Sequence, residues 1–252
     1  MKKVLVTGMS GLIGGLLRQH LEDDGRYELT ALNRSPLEGV RCVQSDIADL
    51  DAIKPAFVGQ DTVVHLAAHL KDEPFETLQS ANLTGAYNVY EAARSAGVKR
   101  VVFASSGSTI KGWEDVLPYR AMAEGRYEDV PESWPMITHE MVRPRGAYGA
   151  SKVWGEAVGR HFSDTYGMSV LCVRIGSVLD HNDPSRIGPS MAWLSHRDVV
   201  DILVRCIDAP QDLHYDIFLA TSWNRYGYRD LEHARDVLGY IPQDTDDSAF
   251  EG

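Results

Sequence analysis

Tyr148 and Lys152, in Tyr148-Gly149-Ala150-Ser151-Lys152, are four residues apart. On a helix that spacing puts both side chains on one face, one turn apart. An ammonium near a phenol favours the phenolate and lowers its pKa from about 10 toward working pH. A tyrosine tuned in this way can take the proton of a substrate hydroxyl while hydride leaves the same carbon for a nicotinamide. The lysine can also hold ribose hydroxyls of such a cofactor. Ser105 and Ser106 close the apolar run Val101-Val102-Phe103-Ala104. The carboxyl end of a buried parallel strand is where ligands gather in open α/β sheets, so one of these two hydroxyls can hydrogen-bond the reacting oxygen. A Tyr and a Lys at this spacing usually mean only a solvated helix face. The pair becomes specific beside a dinucleotide site.

Such a site stands at the start of the chain. Val4-Leu5-Val6 reads as a short buried strand, broken at Gly8, with a helical pattern from about Leu12. Gly8, Gly11 and Gly14 follow at even spacing. They serve a tight turn, close approach of a pyrophosphate and close helix packing, while the helix N-terminus around Ser10, Leu12 and Ile13 offers N–H groups to the anion. Glu28 to Leu32 reads as the second strand, with Asn33-Arg34-Ser35 at its tip. An acid there would bind the ribose 2′-hydroxyl and repel a 2′-phosphate; an Asn followed by Arg and Ser leans to NADP over NAD. Ser45-Asp46-Ile47 can flank an adenine, or Ser45 or Asp46 can cap a helix. The strand Thr62–Ala68 ends in Leu66, Ala67 and Ala68, small enough at the tip for a cofactor to lie on the backbone. His65 reads as a core histidine and His69 as a residue facing a pocket.

The elements that position these groups alternate. Strands are expected at 40–43, 100–107, 169–175 and 215–220, and helices at 75–96, 148–166, 196–208 and 230–238. That order specifies an α/β fold, a Rossmann-type doubly wound parallel sheet with a small C-terminal substrate-binding appendage, roughly 176–252, in one domain of 1–252. The segment Trp113–Arg145, with four prolines, is expected to be a lid, and the Asp-rich tail to be frayed. The net charge of −11 argues against nucleic acid and anionic membrane as partners. No run is long and apolar enough to span a bilayer, and the first strand leaves no room for a signal peptide. Cys42, Cys172 and Cys206 read as reduced thiols of a cytoplasmic protein. His181, His196 and Asp198 lack the compact spacing of metal ligands, and no metal is expected.

Together, Gly8-x-x-Gly11-x-x-Gly14, Ser106 and Tyr148-x-x-x-Lys152 resemble the extended short-chain dehydrogenase/reductase family, of the NAD-dependent epimerase/dehydratase type, over almost the whole chain. The resemblance implies catalytic roles for Ser106, Tyr148 and Lys152, cofactor contacts that include Asn82 and Ile175, and a homodimer built on the helices 75–96 and 148–166. Leu238-Gly239-Tyr240-Ile241-Pro242 is similar to the family's closing motif. Val102–Ser106 and Val173–Ser177 most resemble uronate dehydrogenases, which oxidise C1 of a hexuronate to the lactone with NAD; Ala192–Asp198 and Val237–Tyr240 also resemble a haloarchaeal NAD-dependent glucose-6-phosphate dehydrogenase. By that likeness Ser177 and Arg186 hold the anionic substituent of a sugar-like substrate. Gly107 and Ser108 stand where the uronate enzymes have an Asn-His pair, Leu70 where they have a pocket serine, and Asn33 where they have the acid that selects NAD. The implied activity is NAD(P)-dependent oxidation of C1 of a hexuronate, aldose or hexose phosphate. The alternatives are a nucleotide-sugar epimerase, a reductase of a non-sugar carbonyl and a catalytically silent NAD(P)-binding sensor. The short chain after Ile175 tells against the epimerase, and the intact Ser106, Tyr148 and Lys152 set against the sensor.

Overall fold

A computed structural model describes residues 1–186 and 191–250; Ile187 to Ser190, Glu251 and Gly252, which fall within the expected C-terminal appendage, lie outside the described residues. The chain runs β1 (Lys2–Thr7), α1 (Leu12–Asp24), β2 (Tyr27–Asn33), β3 (Arg41–Gln44), α2 (Leu50–Phe57), β4 (Thr62–His65), α3 (Phe75–Leu78), α4 (Gly85–Ala96) and β5 (Arg100–Ser106). It continues with α5 (Tyr119–Ala123), α6 (Gly146–Tyr166), β6 (Ser169–Ile175), α7 (His196–Asp208), β7 (Tyr215–Ala220) and α8 (Glu232–Leu238). The seven strands form one parallel sheet in the order β3-β2-β1-β4-β5-β6-β7.

Both faces of this sheet are covered, which is why its strands read as continuous apolar runs. In β5 the period of two sends Val102 and Ala104 into the core on one face and Val101 and Phe103 into the core on the other. Register aligns the strand ends: Thr7 lies opposite His65, Ser106 opposite Ile175, and Ile175 opposite Ala220. The carboxyl ends therefore share one rim. Strand order reverses between β1 and β4, which opens a crevice there for a ligand.

Several details differ from the sequence reading. The expected helix 75–96 is α3 and α4 joined by a π-helical stretch, Gln79–Thr84. That bulge carries Asn82, whose amide is drawn out of a regular helical position to bonds described below. Neither Ser45 nor Asp46 caps α2; the cap is Asp49, whose carboxylate accepts the Ala52 N–H at 3.1 Å. The segment 113–145 is a folded flap. Tyr119, Met122 and Ile137 bury themselves with Ile110, Met191, Leu219 and Tyr228 in a third apolar cluster, separate from the two that sandwich the sheet. Trp113 and Trp134 pack against that cluster too, and Trp134 Nε1 donates to the Gly227 carbonyl. The tail is tied down through residue 250. Asp244 accepts bonds from Ser195 and Arg197, and Phe250 packs on Tyr127 and Tyr226, contacts that outweigh its polar composition. Among the described residues, no helix is long and apolar enough to cross a membrane.

Candidate active site

A cleft of about 360 Å³ runs over the strand ends, lined by Gly8, Ser10, Gly11, Asn33, Arg34, Ser35, Asp46, Ile47, Leu66, Ala67, Ala68 and His69. These are the expected cofactor residues, joined by His69. The glycine turn is dictated by close approach. A Cβ at Gly8 would lie 2.8 Å from the Ala67 nitrogen, and one at Gly14 would lie 2.5 Å from the Gly8 carbonyl oxygen. The N-terminus of α1 has no side-chain cap, so its N–H groups face an incoming anion. Leu12 and Ile13 supply that turn without lining the cleft. At the β2 tip, the Asn33 amide is buried with neither its oxygen nor its nitrogen hydrogen-bonded. An orphaned buried amide is costly unless a ligand completes it, and a ribose hydroxyl at this position would do so. The residues present thus fit a nicotinamide dinucleotide.

Two expected contacts fall elsewhere. Asn82 is 4 % exposed and fully spent on the frame: Oδ1 accepts the His69 N–H at 2.7 Å, and Nδ2 donates to the His69 carbonyl and to Ser151 Oγ. It locks the loop after β4 to α6 and offers no free atom to a cofactor. Ile175 lines the cavity beside Ser106, on the substrate side. His65 is a core residue as expected. Its Nδ1 lies 2.7 Å from Thr7 Oγ1, and burial pushes its pKa down to about 3.

Ser106 ends β5, and its hydroxyl is near enough to the Tyr148 phenol on α6 to favour the phenolate. The helix lies close on the sheet because Gly155 faces Phe103, where a Cβ would meet the ring at 2.2 Å. Lys152, buried one turn on from Tyr148, donates from Nζ to the Ala104 carbonyl at 2.7 Å. Its charge lies 5.7 Å from the Tyr148 ring centre. This corrects the expected electrostatics. Burial pushes the Tyr148 phenol above its ordinary value, and the Ser106 hydroxyl, not the ammonium, pulls it back. Burial also lowers Lys152 to about 8, against the opposing charge of Glu156.

Ser105 belongs to the frame. Its Oγ donates to Glu156 Oε1 at 2.5 Å, while Arg174 meets both Glu156 oxygens at 2.8 Å and donates to the Met141 carbonyl. This buried network ties α6, β5 and β6 to the end of the flap. Sequence reasoning missed Glu156, although Tyr148, Lys152 and Glu156 recur every four residues on one helix face. It also missed Asp72, whose carboxylate accepts the Tyr148 N–H at 2.7 Å and steadies the α6 N-terminus. No local pattern marks a partner so remote in sequence.

On the substrate side, Ser106, Gly107, Ser108 and Ser177 line one cavity together with Lys111, Glu114, Ala192 and Arg229. It adjoins a larger hollow of about 740 Å³ under the flap, which shares Lys111, Glu114, Ser177 and Ala192 with it and adds Arg145. His69 is not part of this wall; its Nε2 sits 3.2 Å from the Glu73 carbonyl, and the ring lines the dinucleotide cleft. Arg186 is exposed on a short 3₁₀ turn and is not among the described residues that line either cavity. Arg145 is taken up by Glu114 and Asp115. Of the three residues set aside as metal ligands, His196 sits on the Leu179 carbonyl and Asp198 on Ser222 and the Gln243 N–H. A different trio, His139, Asp216 and His233, brings ligand atoms within 4.8 Å of one another. The two imidazoles there stack at 3.8 Å with planes 14° apart, so their in-plane lone pairs run side by side without converging.

A doubly wound parallel sheet with a dinucleotide cleft at its switch point and a Ser–Tyr–Lys set on the rim defines a short-chain dehydrogenase/reductase. The chain belongs to the NAD dependent epimerase/dehydratase family, which it matches over residues 4–192. It is 34% identical over 265 residues to an NAD-dependent glucose-6-phosphate dehydrogenase of Haloferax volcanii, covering 99% of this chain and 96% of that one. It is 32% identical over 266 residues to an L-arabinose 1-dehydrogenase (NAD(P)(+)) of the same organism, across 100% of both. A crystal structure of a uronate dehydrogenase variant from Agrobacterium tumefaciens complexed with NAD superposes with a TM-score of 0.79 at 31% identity, covering 98% of this chain and 87% of that one.

Proposed function

We propose that this protein is an NAD(P)-dependent dehydrogenase that oxidises C1 of a sugar or sugar acid to the lactone. The observation that carries the reading is the meeting of Ser106, Tyr148 and Lys152 at the end of β5, on the rim that also carries the dinucleotide cleft, with Ser106 in the wall of the substrate cavity. Bound oxidised nicotinamide supplies the hydride acceptor and a positive ring charge. Ser106 Oγ holds the C1 oxygen, and Tyr148 Oη takes its proton as the C1–H bond gives up hydride and the C1=O bond forms. Lys152, fixed on the Ala104 carbonyl, stands ready for ribose hydroxyls and for charge developing on Tyr148. The raised phenol makes oxidation an alkaline reaction: its rate climbs as rising pH populates the phenolate.

The relatives' names support a C1 hydroxyl as the reacting group, since they act on glucose 6-phosphate, L-arabinose and uronates. Uncharged Asn33 beside exposed Arg34 supports acceptance of NADP as well as NAD. Tyr87 and Trp154, exposed on the neighbouring helices α4 and α6, support pairing of two copies along those helices. Three free cysteines support a reducing, cytoplasmic setting.

The test is nicotinamide reduction by the purified protein with aldoses, hexuronates and hexose phosphates. At least one is turned over, and Tyr148→Phe lowers kcat about 10²–10⁴-fold. Turnover of none of them, or an undiminished Tyr148→Phe, overturns the reading.

A further inference from the structure

We propose that Arg229 is the specificity-determining residue of the substrate cavity and selects a sugar carrying an anionic group, carboxylate or phosphate; this rests on the sugar dehydrogenase reading. The chain buries three arginines beside its sheet, and two of them are satisfied. Arg100 donates to Ser169 and to the carbonyls of Ala209 and Pro210. Arg174 is held by both Glu156 oxygens. Arg229, 4 % exposed, makes one hydrogen bond, from Nη1 to the Met191 carbonyl at 2.8 Å, and its buried Nε has none.

No carboxylate among the described residues comes within ion-pairing distance of this guanidinium. Glu114, the acid on the same cavity wall, has Oε2 on Arg145 and Oε1 on the Tyr228 hydroxyl. A buried cation with neither counter-charge nor a full set of acceptors is strongly unfavourable unless something else supplies them. The fixed fork of a guanidinium matches a carboxylate or a phosphate through paired, charge-assisted bonds.

The location makes that something the substrate. A Cβ built on Gly107 would lie 2.9 Å from Arg229 Nη2, so the guanidinium rests against the residue that follows Ser106. A side chain there would occupy the space that Arg229 fills. Missing bulk at 107 and the incoming guanidinium from 229 form one arrangement, which sets a positive group in the cavity wall beside Ser106. The backbone of Arg229, on the connection between β7 and α8, bridges to Ile137 of the flap, so the position of the charge is tied to that segment.

The experiment compares a neutral aldohexose, a hexuronate and a hexose 6-phosphate in the wild-type protein, Arg229→Gln and Arg229→Lys. It reads kcat/KM with nicotinamide and, separately, Kd by calorimetry without it. In the wild type at least one anionic sugar exceeds the neutral one by about tenfold or more. Arg229→Gln lowers kcat/KM and affinity for that sugar about 100-fold while the neutral sugar changes less than about threefold. Arg229→Lys keeps part of the preference and decides the matter if the glutamine variant does not fold. The assignment is overturned if neutral and anionic sugars lose equally, or if the preference survives Arg229→Gln. Anion-selective binding without turnover of any sugar upholds Arg229 and overturns the dehydrogenase reading; turnover without anion preference does the reverse.

Discussion

The two walls of the cleft are held by different kinds of bond. The dinucleotide wall takes its residues from the ends of β1, β2 and β4, and parallel ladders set the positions of Gly8, Asn33 and Ala67. Backbone hydrogen bonds do this whatever the side chains are, provided the turns are tight. The substrate wall takes Ser106 and Ile175 from the β5–β6 ladder but gathers Lys111, Ser177 and Arg229 from segments beyond the strand ends. Isolated bridges, Ile137 with Arg229 and Ser177 with Trp193, and side-chain bonds to carbonyls hold it. A wall of the first kind keeps its ligand through extensive sequence change. One of the second kind can exchange its polar contacts while the hydride chemistry stays in place.

The severest break of that contrast is at Glu156. Arg174 is fully buried and Glu156 is 5 % exposed, and their pair also carries Ser105 and, through Arg174, the Met141 carbonyl of the flap. Glu156→Ala leaves the guanidinium uncompensated and is expected to lower stability by about 3–5 kcal/mol in denaturant titration. At a temperature where the variant remains folded, its sugar KM should rise while its dinucleotide Kd stays near wild type. An equal loss on both sides would mean that one network supports both walls.

The same contrast explains what could be read without coordinates. Strand ends, the glycine turn and the Tyr148–Lys152 pair rest on contacts of short range, where spacing along the chain is spacing in space. The β-α order then fixes the rim on which they meet. Asp72 and Arg229 are legible only after folding: one acts on a helix start and the other on a serine loop, each far away in sequence. Arg186, expected from the likeness to the uronate enzymes, is exposed on its turn, while the described cavity wall carries the guanidinium of Arg229. Asn82, which the family likeness marks for the cofactor side, has its amide on His69 and Ser151, partners that only the fold brings together.

A milder perturbation reaches the dinucleotide wall through His65. Thr7 Oγ1 accepts the Ala67 N–H at 3.1 Å and lies 2.7 Å from His65 Nδ1, and burial of that ring favours its neutral form. With the folded pKa down at about 3, the unfolded chain binds a proton below pH about 6.5 that the folded chain refuses. Stability from this group is complete above about 6.5 and is lost as pH falls toward 3, by at most about 1.4 kcal/mol per pH unit. Urea titrations between those limits should give a shallower pH slope for His65→Gln than for the wild type. Parallel slopes would show that acid sensitivity arises elsewhere.

The smallest change, and the sharpest on the contrast, is Asn33→Asp. The amide is 5 % exposed, at the carboxyl end of β2, with both polar atoms unpartnered. A carboxylate of the same shape accepts a ribose 2′-hydroxyl and repels a 2′-phosphate, while exposed Arg34 next to it is left untouched. The kcat/KM ratio of NADP to NAD should fall about tenfold or more, which corresponds to about 1.4 kcal/mol. Asp46 stands on the same wall, so added negative charge there also raises the salt dependence of NADP binding. An unchanged ratio would place the selector at Arg34 or beyond. Sugar KM must stay within about twofold of wild type, because residue 33 touches only the backbone-held wall; a larger shift would show that the two walls are coupled through the bound dinucleotide.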